Sequence, residues 1–324
     1  MEEDVKVFVV KEADLKKHAR LDSYLSQMLP DISRSLIKKL FNDKHISSDS
    51  NVKIELKKMP PAGTEVRFKM PAANPTQIPA QNIPLEILHE DGDLLILNKQ
   101  AGLVIHPAAG NPDMTLVNAI LHHCPDLKGI GNEKRPGIVH RLDKGTSGVM
   151  VVAKSQKCHE GLVQLFSAHD IERRYEAIAL GAKIPSSQTL ESKMGRSPRN
   201  RLKMTTKVGK GKAALTHMKV LKYFERFSHV ELKLETGRTH QIRVHLSELL
   251  NAPILNDPLY GRANEEKQFF NDRMRVLLKD YEHPLLHAKL LGFIHPITKK
   301  KMEFETKPPK IFQETLKSLE GYAK

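Results

Sequence analysis

The chain is poor in the residues that build several kinds of site. Its 324 residues include only two cysteines, Cys124 and Cys158, and no tryptophan. With no CxxC pair, a disulfide framework and a thiolate-held metal are disfavoured, and the usage fits the reducing cytoplasm. No apolar run approaches the length that spans a bilayer. The charged start Met1-Glu2-Glu3-Asp4-Val5-Lys6 lacks an apolar signal core, so no export is expected. Phosphate loops are missing too. Gly148 to Ser155 falls one residue short of a Walker loop, Ala153 replaces its second glycine, and strand formers fill the middle. Gly145-Thr146-Ser147-Gly148 lacks the spacing of a nucleophile elbow. His122, His123, His140, His240 and His245 share no predicted face with a third ligand, and read as polar or RNA-facing. No metal, nucleotide or redox cofactor is expected.

What is abundant is positive charge. Lysine and arginine total 52 against 38 acidic residues, a net charge of +14, on a chain with 40% apolar residues, enough for a globular core. Such a surface draws phosphates in and releases their counterions. The cations gather at Lys38-Lys39 and between Arg196 and Lys212, with Arg199, Arg201, Lys203, Lys207 and Lys210 between. Nucleic acid is the favoured partner, with stacking left to Tyr, Phe or Arg.

Composition changes at residues 71–84, where four prolines with small and amide side chains predict an extended linker. Residues 1–70 and 85–324 are then separate domains. In the first, Leu21, Tyr24, Leu25 and Met28 predict one helix ending at Pro30. Ser33 can cap a second, with Leu36, Ile37, Leu40 and Phe41 as its apolar stripe. Arg34, Lys38 and Lys39 fall off that stripe. Short strands are predicted at Val52–Leu56 and Glu65–Met70. In the second domain, strands are expected at Leu85–Leu88, Leu94–Asn98, Val149–Ala153, Tyr175–Leu180, Leu215–Leu221, His229–Glu235, Leu286–Ile294 and Met302–Phe304. Helices are expected at Met114–His122, Gln156–Phe166 and His240–Leu250. Adjacent strand runs without intervening helices predict an α+β fold with a mixed, mostly antiparallel sheet rather than a doubly wound one.

Two segments carry chemistry. His140-Arg141-Leu142-Asp143-Lys144-Gly145-Thr146-Ser147-Gly148 places one carboxylate in a turn that feeds an apolar strand, a rigid mount for a reacting group. Asp143 could equally be a turn former. The second is Thr236-Gly237-Arg238-Thr239-His240-Gln241-Ile242-Arg243-Val244-His245. Here Thr239 can cap a helix whose buried stripe is Ile242, Leu246 and Leu249, which holds Arg243 at the core edge. A half-buried arginine needs a carboxylate, and Asp143 would supply it. At 4 Å and an effective dielectric near 20 the attraction is about 4 kcal/mol.

These motifs, with Arg174-Tyr175-Glu176-Ala177, Asn251 to Gly261 and His287 to Pro296, resemble the RluA-type RNA pseudouridine synthases from about Leu85 onward. The helix pair and small strands of Leu15 to Met70 resemble the S-four RNA-binding domain, and that combination is most similar to the RluD-like subgroup. Three departures stand out. Asn251 and Asn256 replace usual glycines, His283-Pro284 replaces a usual Arg-Gln pair, and Asp43-Lys44-His45 lacks a usual glycine.

The resemblance implies isomerisation of uridine to pseudouridine in RNA, with the target base flipped from its stack. Large-subunit (23S) rRNA would be the substrate and its helix 69 the site, with another rRNA site or a tRNA left open. It implies Asp143 as nucleophile, on ribose, on base or through a glycal, and Arg243 as its ion-pair partner. Tyr175 would stack on the uracil and could also remove the carbon 5 proton, Arg141 would wedge into the vacated stack, and Leu286 would pack on the base. Arg20, Arg34, Lys38, Lys39, Arg196, Arg201, Lys203, Arg238 and His240 would contact RNA. A monomer is expected. The rival readings are an RNA-binding assembly factor with an inactive site, and a hydrolase using Asp143 as a metal ligand.

Overall fold

A computed structural model describes residues 5–29, 34–48, 52–69, 78–108, 110–127, 130–132, 135–181 and 183–320, with the side chains of residues 34–36, 39 and 132 excepted. Two compact units result, Met1–Gln77 and Ile78–Lys324. Pro30, Ser33 (expected to cap the second helix) and linker residues 71–77 lie outside the described residues.

In the first unit, strands Val5–Val9, Glu65–Lys69 and Ile46–Ser48 form an antiparallel sheet in the order first, third, second along the chain. Helices Leu21–Met28 and Arg34–Asn42 pack with it through Leu21, Leu25, Ile37, Leu40, Val66 and Phe68. Met28, expected on the buried stripe, is exposed because the helix ends there. Val52–Leu56 is no strand. Glu55 and Lys58 instead bridge a tight turn, while Ile46–Ser48, directly after the second helix, supplies the third strand. Lys44 occupies the left-handed position (φ 63°) where a glycine is usual, and the turn closes with His45 N–H on Leu40 O at 2.8 Å.

The second unit is built on a ten-stranded sheet. Its path runs Met204–Thr205, Ser187–Arg196, Lys212–Tyr223, Phe227–Leu234, Glu172–Leu180, Leu286–Ile294, Ser147–Ala153, Leu94–Lys99 and Glu86–Glu90. Lys301–Glu305 joins as a further partner of Leu286–Ile294. The sheet is mixed and mostly antiparallel: the one parallel pair among the described strands is Leu286–Ile294 with Ser147–Ala153. The latter is buried along its whole length, hence its continuous apolar run. Met150 and Val152 face one core, Val149, Val151 and Ala153 the other. Gly148 is required where this strand meets its parallel neighbour, since a Cβ there would sit 2.1 Å from Ala288 O.

Elements absent from the sequence reading have a physical signature. Ser187–Arg196 buries only Leu190 and Met194 and otherwise looks polar. The helices Ala263–Gln268 and Asp272–Leu278 are short. Helix Lys310–Glu320 did carry a signal, with Pro309 before it and Phe312, Thr315 and Leu319 on its buried face. The predicted helix His240–Leu250 starts without a Thr239 cap. His240 itself is the N-cap residue at φ 57°, and the chain widens into a π turn at His245–Leu249. That wide turn rotates Leu249 off the stripe, leaving it exposed.

Candidate active site

A cleft of about 620 Å³ opens in the second unit, lined among others by Arg141, Asp143, Arg173, Tyr175, Arg238, His240, Arg243 and Leu286. Local structure explains how each arrives. Thr146 N–H closes a turn on Asp143 O at 3.0 Å, just before the buried strand, so the carboxylate stands on a rigid mount. Tyr175 and Leu286 come from neighbouring strands, paired through Tyr175 with Ala288 and Ala177 with Leu286. Arg243 comes from the short helix Gln241–Val244. The upstream Thr236-Gly237-Arg238 turn is pinned by Gln241, whose side-chain oxygen accepts from Thr236 Oγ1 and Arg238 N–H.

Arg243 is nearly buried and gives its Nε and Nη2 hydrogens to Asp257, both at 2.7 Å. Asp143 meets the same guanidinium through Nη1 at 3.4 Å. The sequence reading needed one carboxylate for this arginine; the structure supplies two, and Asp257 is the closer. That corrects the pairing argument: Asp257 neutralises Arg243, and Arg243 in turn faces Asp143. Burial alone would lower the Arg243 pKa, but the Asp257 contact outweighs it and raises it. Tyr260 lies against the guanidinium, 5.1 Å from its carbon to the ring centroid. The Tyr260 hydroxyl meets His240 Nδ1 at 2.9 Å. His240 Nε2 stands 4.0 Å from Asp143, and burial lowers its pKa.

Lys99 was also missed. It is fully buried and donates to the carbonyls of Gln100 (2.8 Å), Leu103 (3.0 Å) and Lys144 (3.3 Å), tying down the residue next to Asp143. Burial pulls its pKa down to about 7, with Asp143 pulling the other way. Its placement in the apolar strand Leu94–Lys99 was the available signal, as was Asp257 within the quoted Asn251–Gly261 run. Burial also pushes the Tyr175 phenol up to about 12, so at neutral pH the ring carries its proton.

Other expected site residues are spread more widely. Arg141 is exposed at the cleft, and Arg238 donates to Ala213 O there. Arg196, the last residue of strand Ser187–Arg196, and Arg201, on the loop that follows, are both exposed, and Arg196 Nη1 donates to the Arg201 carbonyl. Lys203 lies 5.5 Å from the Tyr260 ring centroid, which links that loop to the site. Arg20, Arg34, Lys38 and Lys39 belong to the first unit. Arg20 pairs with Asp22 at 2.7 Å, Lys38 is exposed, and the side chains of Arg34 and Lys39 are outside those described. His245, read as polar or RNA-facing, is wholly buried against Thr216 and Ser192. Asn251 and Asn256 both take left-handed backbone (φ 54° and 62°), which asparagine tolerates best after glycine.

Two clusters among the described residues bring metal-ligand atoms close: Glu90, His123, Cys124 and Asp91, Asp93, His295. Glu90 is already committed to Lys154 at 2.6 Å. His295 Nδ1 accepts from the N–H groups of Ile297 and Thr298, which places the proton on Nε2, facing Asp91. Asp143 belongs to neither cluster, and its neighbours Arg243 and His240 are basic side chains.

Residues 93–248 match the family described as RNA pseudouridylate synthase. The chain is 42% identical over 308 residues to the ribosomal large subunit pseudouridine synthase D of Zymomonas mobilis, covering 93% of each. It is 37% identical to the Escherichia coli K12 protein of the same name, over 90% of this chain and 87% of that one. Among solved structures it resembles human RNA pseudouridylate synthase domain containing 4, with a TM-score of 0.57 and 28% identity. That match covers 72% of this chain and 93% of the other.

Proposed function

Since this chain belongs to the RNA pseudouridylate synthase family, we propose that its cleft isomerises uridine in large-subunit (23S) rRNA with Asp143 as the reacting carboxylate. The observation that carries the assignment is the triad of charges: Asp143 is held 3.4 Å from Arg243, which Asp257 locks from behind at 2.7 Å. A carboxylate so placed stays aimed in a cleft large enough for a flipped nucleotide. It is nucleophilic enough to trap electron-poor carbon and leaves readily in a later step. Attack on ribose, attack on base and a glycal route all begin from this geometry.

Tyr175 and Leu286 border the cleft as apolar surfaces for the uracil, and Arg141 at its edge is the wedge that fills the vacated stack. Helix 69 is the proposed target within the rRNA. Residues 1–70 act as an S-four-type RNA-binding domain, 71–84 as linker and 85–324 as the catalytic domain. Arg20, Arg34, Lys38 and Lys39 of the first domain are its RNA contacts, joined by Arg196, Arg201, Lys203, Arg238 and His240 of the second. The enzyme works as a cytoplasmic monomer.

The test is Asp143→Asn. Tritium release from carbon 5 of labelled uridine in rRNA fragments should vanish while RNA affinity stays within a few-fold. Appreciable release by the variant would refute the assignment. Pseudouridine mapping of total RNA with and without the protein identifies the target.

A further inference from the structure

Two consecutive arginines on the strand Glu172–Leu180 have opposite fates. Arg174 points to solvent and is paired twice, with Glu172 at 2.6 Å and Glu231 at 3.7 Å. Arg173 points inward and lines the cleft, 8% exposed. Among the described residues no carboxylate lies within 4.0 Å of it. Its Nη2 donates to the carbonyls of Glu235 at 2.9 Å and Leu234 at 3.4 Å, while its buried Nε has no partner. The Glu235 carboxylate is turned instead toward His217, at 3.3 Å. Phe166 packs against the guanidinium, 5.7 Å from its carbon to the ring centroid. Gly237 leaves room on the other side, since a Cβ there would stand 2.8 Å from Arg173 Nη1.

A guanidinium is a permanent cation with five N–H donors, and burying one without a counter-anion is unfavourable. Arg243, in the same cleft, meets that demand with Asp257. Arg173 has only carbonyl dipoles and an unpartnered Nε. The anion missing from its surroundings has to come from whatever fills the cleft.

We infer that Arg173 binds a phosphodiester group of the RNA strand in the cleft and so positions the nucleotide presented to Asp143. This rests on the RNA-modifying reading of the cleft and adds to it a residue that holds backbone rather than base. Backbone contacts fix register without reading sequence, so the effect applies to any bound RNA strand.

The experiment measures affinity against salt for the full chain, using an rRNA stem-loop on which wild-type turnover has been established. Arg173→Gln and Arg173→Met are compared with wild type. Loss of one phosphate contact should make the slope of log affinity against log salt shallower by about 0.7 to 0.9. Affinity at low salt should fall about tenfold or more, as for other hydrogen bonds to charged groups. A neutral methylphosphonate at one position of the stem-loop should weaken the wild type equally and leave Arg173→Gln unaffected. Denaturant midpoints control for folding, and the glutamine variant retains a donor for the Glu235 carbonyl if methionine does not fold. An unchanged slope in a folded variant, with or without lost affinity, overturns the proposal. Turnover by Asp143→Asn would sink the reading of the site instead, while the salt slopes would still report on Arg173.

Discussion

Asp257 grips Arg243 with two 2.7 Å hydrogen bonds, whereas Asp143 touches the same guanidinium through one contact of 3.4 Å. The two carboxylates therefore divide the labour. Asp257, with no exposed side-chain surface, fixes the arginine; Asp143 is still reached by solvent, as the reacting role proposed for it requires.

That division predicts opposite signatures. Asp257→Ala leaves a buried, uncompensated guanidinium and should destabilise the second unit by about 3 to 5 kcal/mol. Asp143→Asn should shift stability by less than about 1 kcal/mol yet abolish turnover. Urea midpoints and tritium release, measured on the same preparations, separate the two. Equal stability losses would contradict the hierarchy.

Tyr175 should act by its ring. With the phenol pushed up to about 12, phenolate is on the order of one molecule in 10⁵ at pH 7. Tyr175→Phe should therefore lose less than the roughly hundredfold that removal of a general base entails, while Tyr175→Leu loses more. Single-turnover rates decide it, and a phenylalanine variant as inactive as leucine would restore the phenol to the chemistry.

Acid stability should depend on Glu176. Burial would raise its pKa, but hydrogen bonds from His229 (2.9 Å) and Lys289 (2.7 Å) outweigh that and hold it at about 2. A depressed folded-state pKa gives stability that is complete above the ordinary carboxylate value near 4.5 and lost as pH falls toward 2. Glu176→Gln should remove stability on the order of 3 kcal/mol at neutral pH and flatten the acid limb between those values. Urea midpoints from pH 7 to 3 test this.

Lys44 offers a stabilising change. It holds left-handed backbone at φ 63° as an exposed residue after helix Arg34–Asn42. Lys44→Gly should relieve that strain and stabilise the first unit by up to about 1 kcal/mol, net of glycine's greater unfolded entropy. A lower thermal midpoint for this unit would contradict it.

Much of the architecture was legible because its signals are local. Leu94–Lys99 and Ser147–Ala153 announce themselves as short apolar runs, and helix Gln156–Ala168 forms where Gln156–Phe166 was expected. Ser187–Arg196 was invisible because a strand with one lightly covered face shows little apolar alternation. In the site, the types and order of Asp143, Tyr175 and Arg243 were readable. Lys99 falls just beyond the strand expected at Leu94–Asn98, and His245 reads from sequence as polar or RNA-facing, although both are buried.

The sequence by itself determined the mount of Asp143 and the family motifs, since each depends on residues near one another in the chain, and the cationic balance, which depends on composition alone. Tertiary structure alone decided that Arg243 leans on Asp257, fourteen residues away, before Asp143, one hundred residues away. It also decided that Arg173 turns inward without a counter-charge while its neighbour Arg174 turns outward with two. The reason is that pairing between distant charges is chosen by packing: strands and helices first bury their apolar faces, and the backbone they fix then dictates which ions can meet.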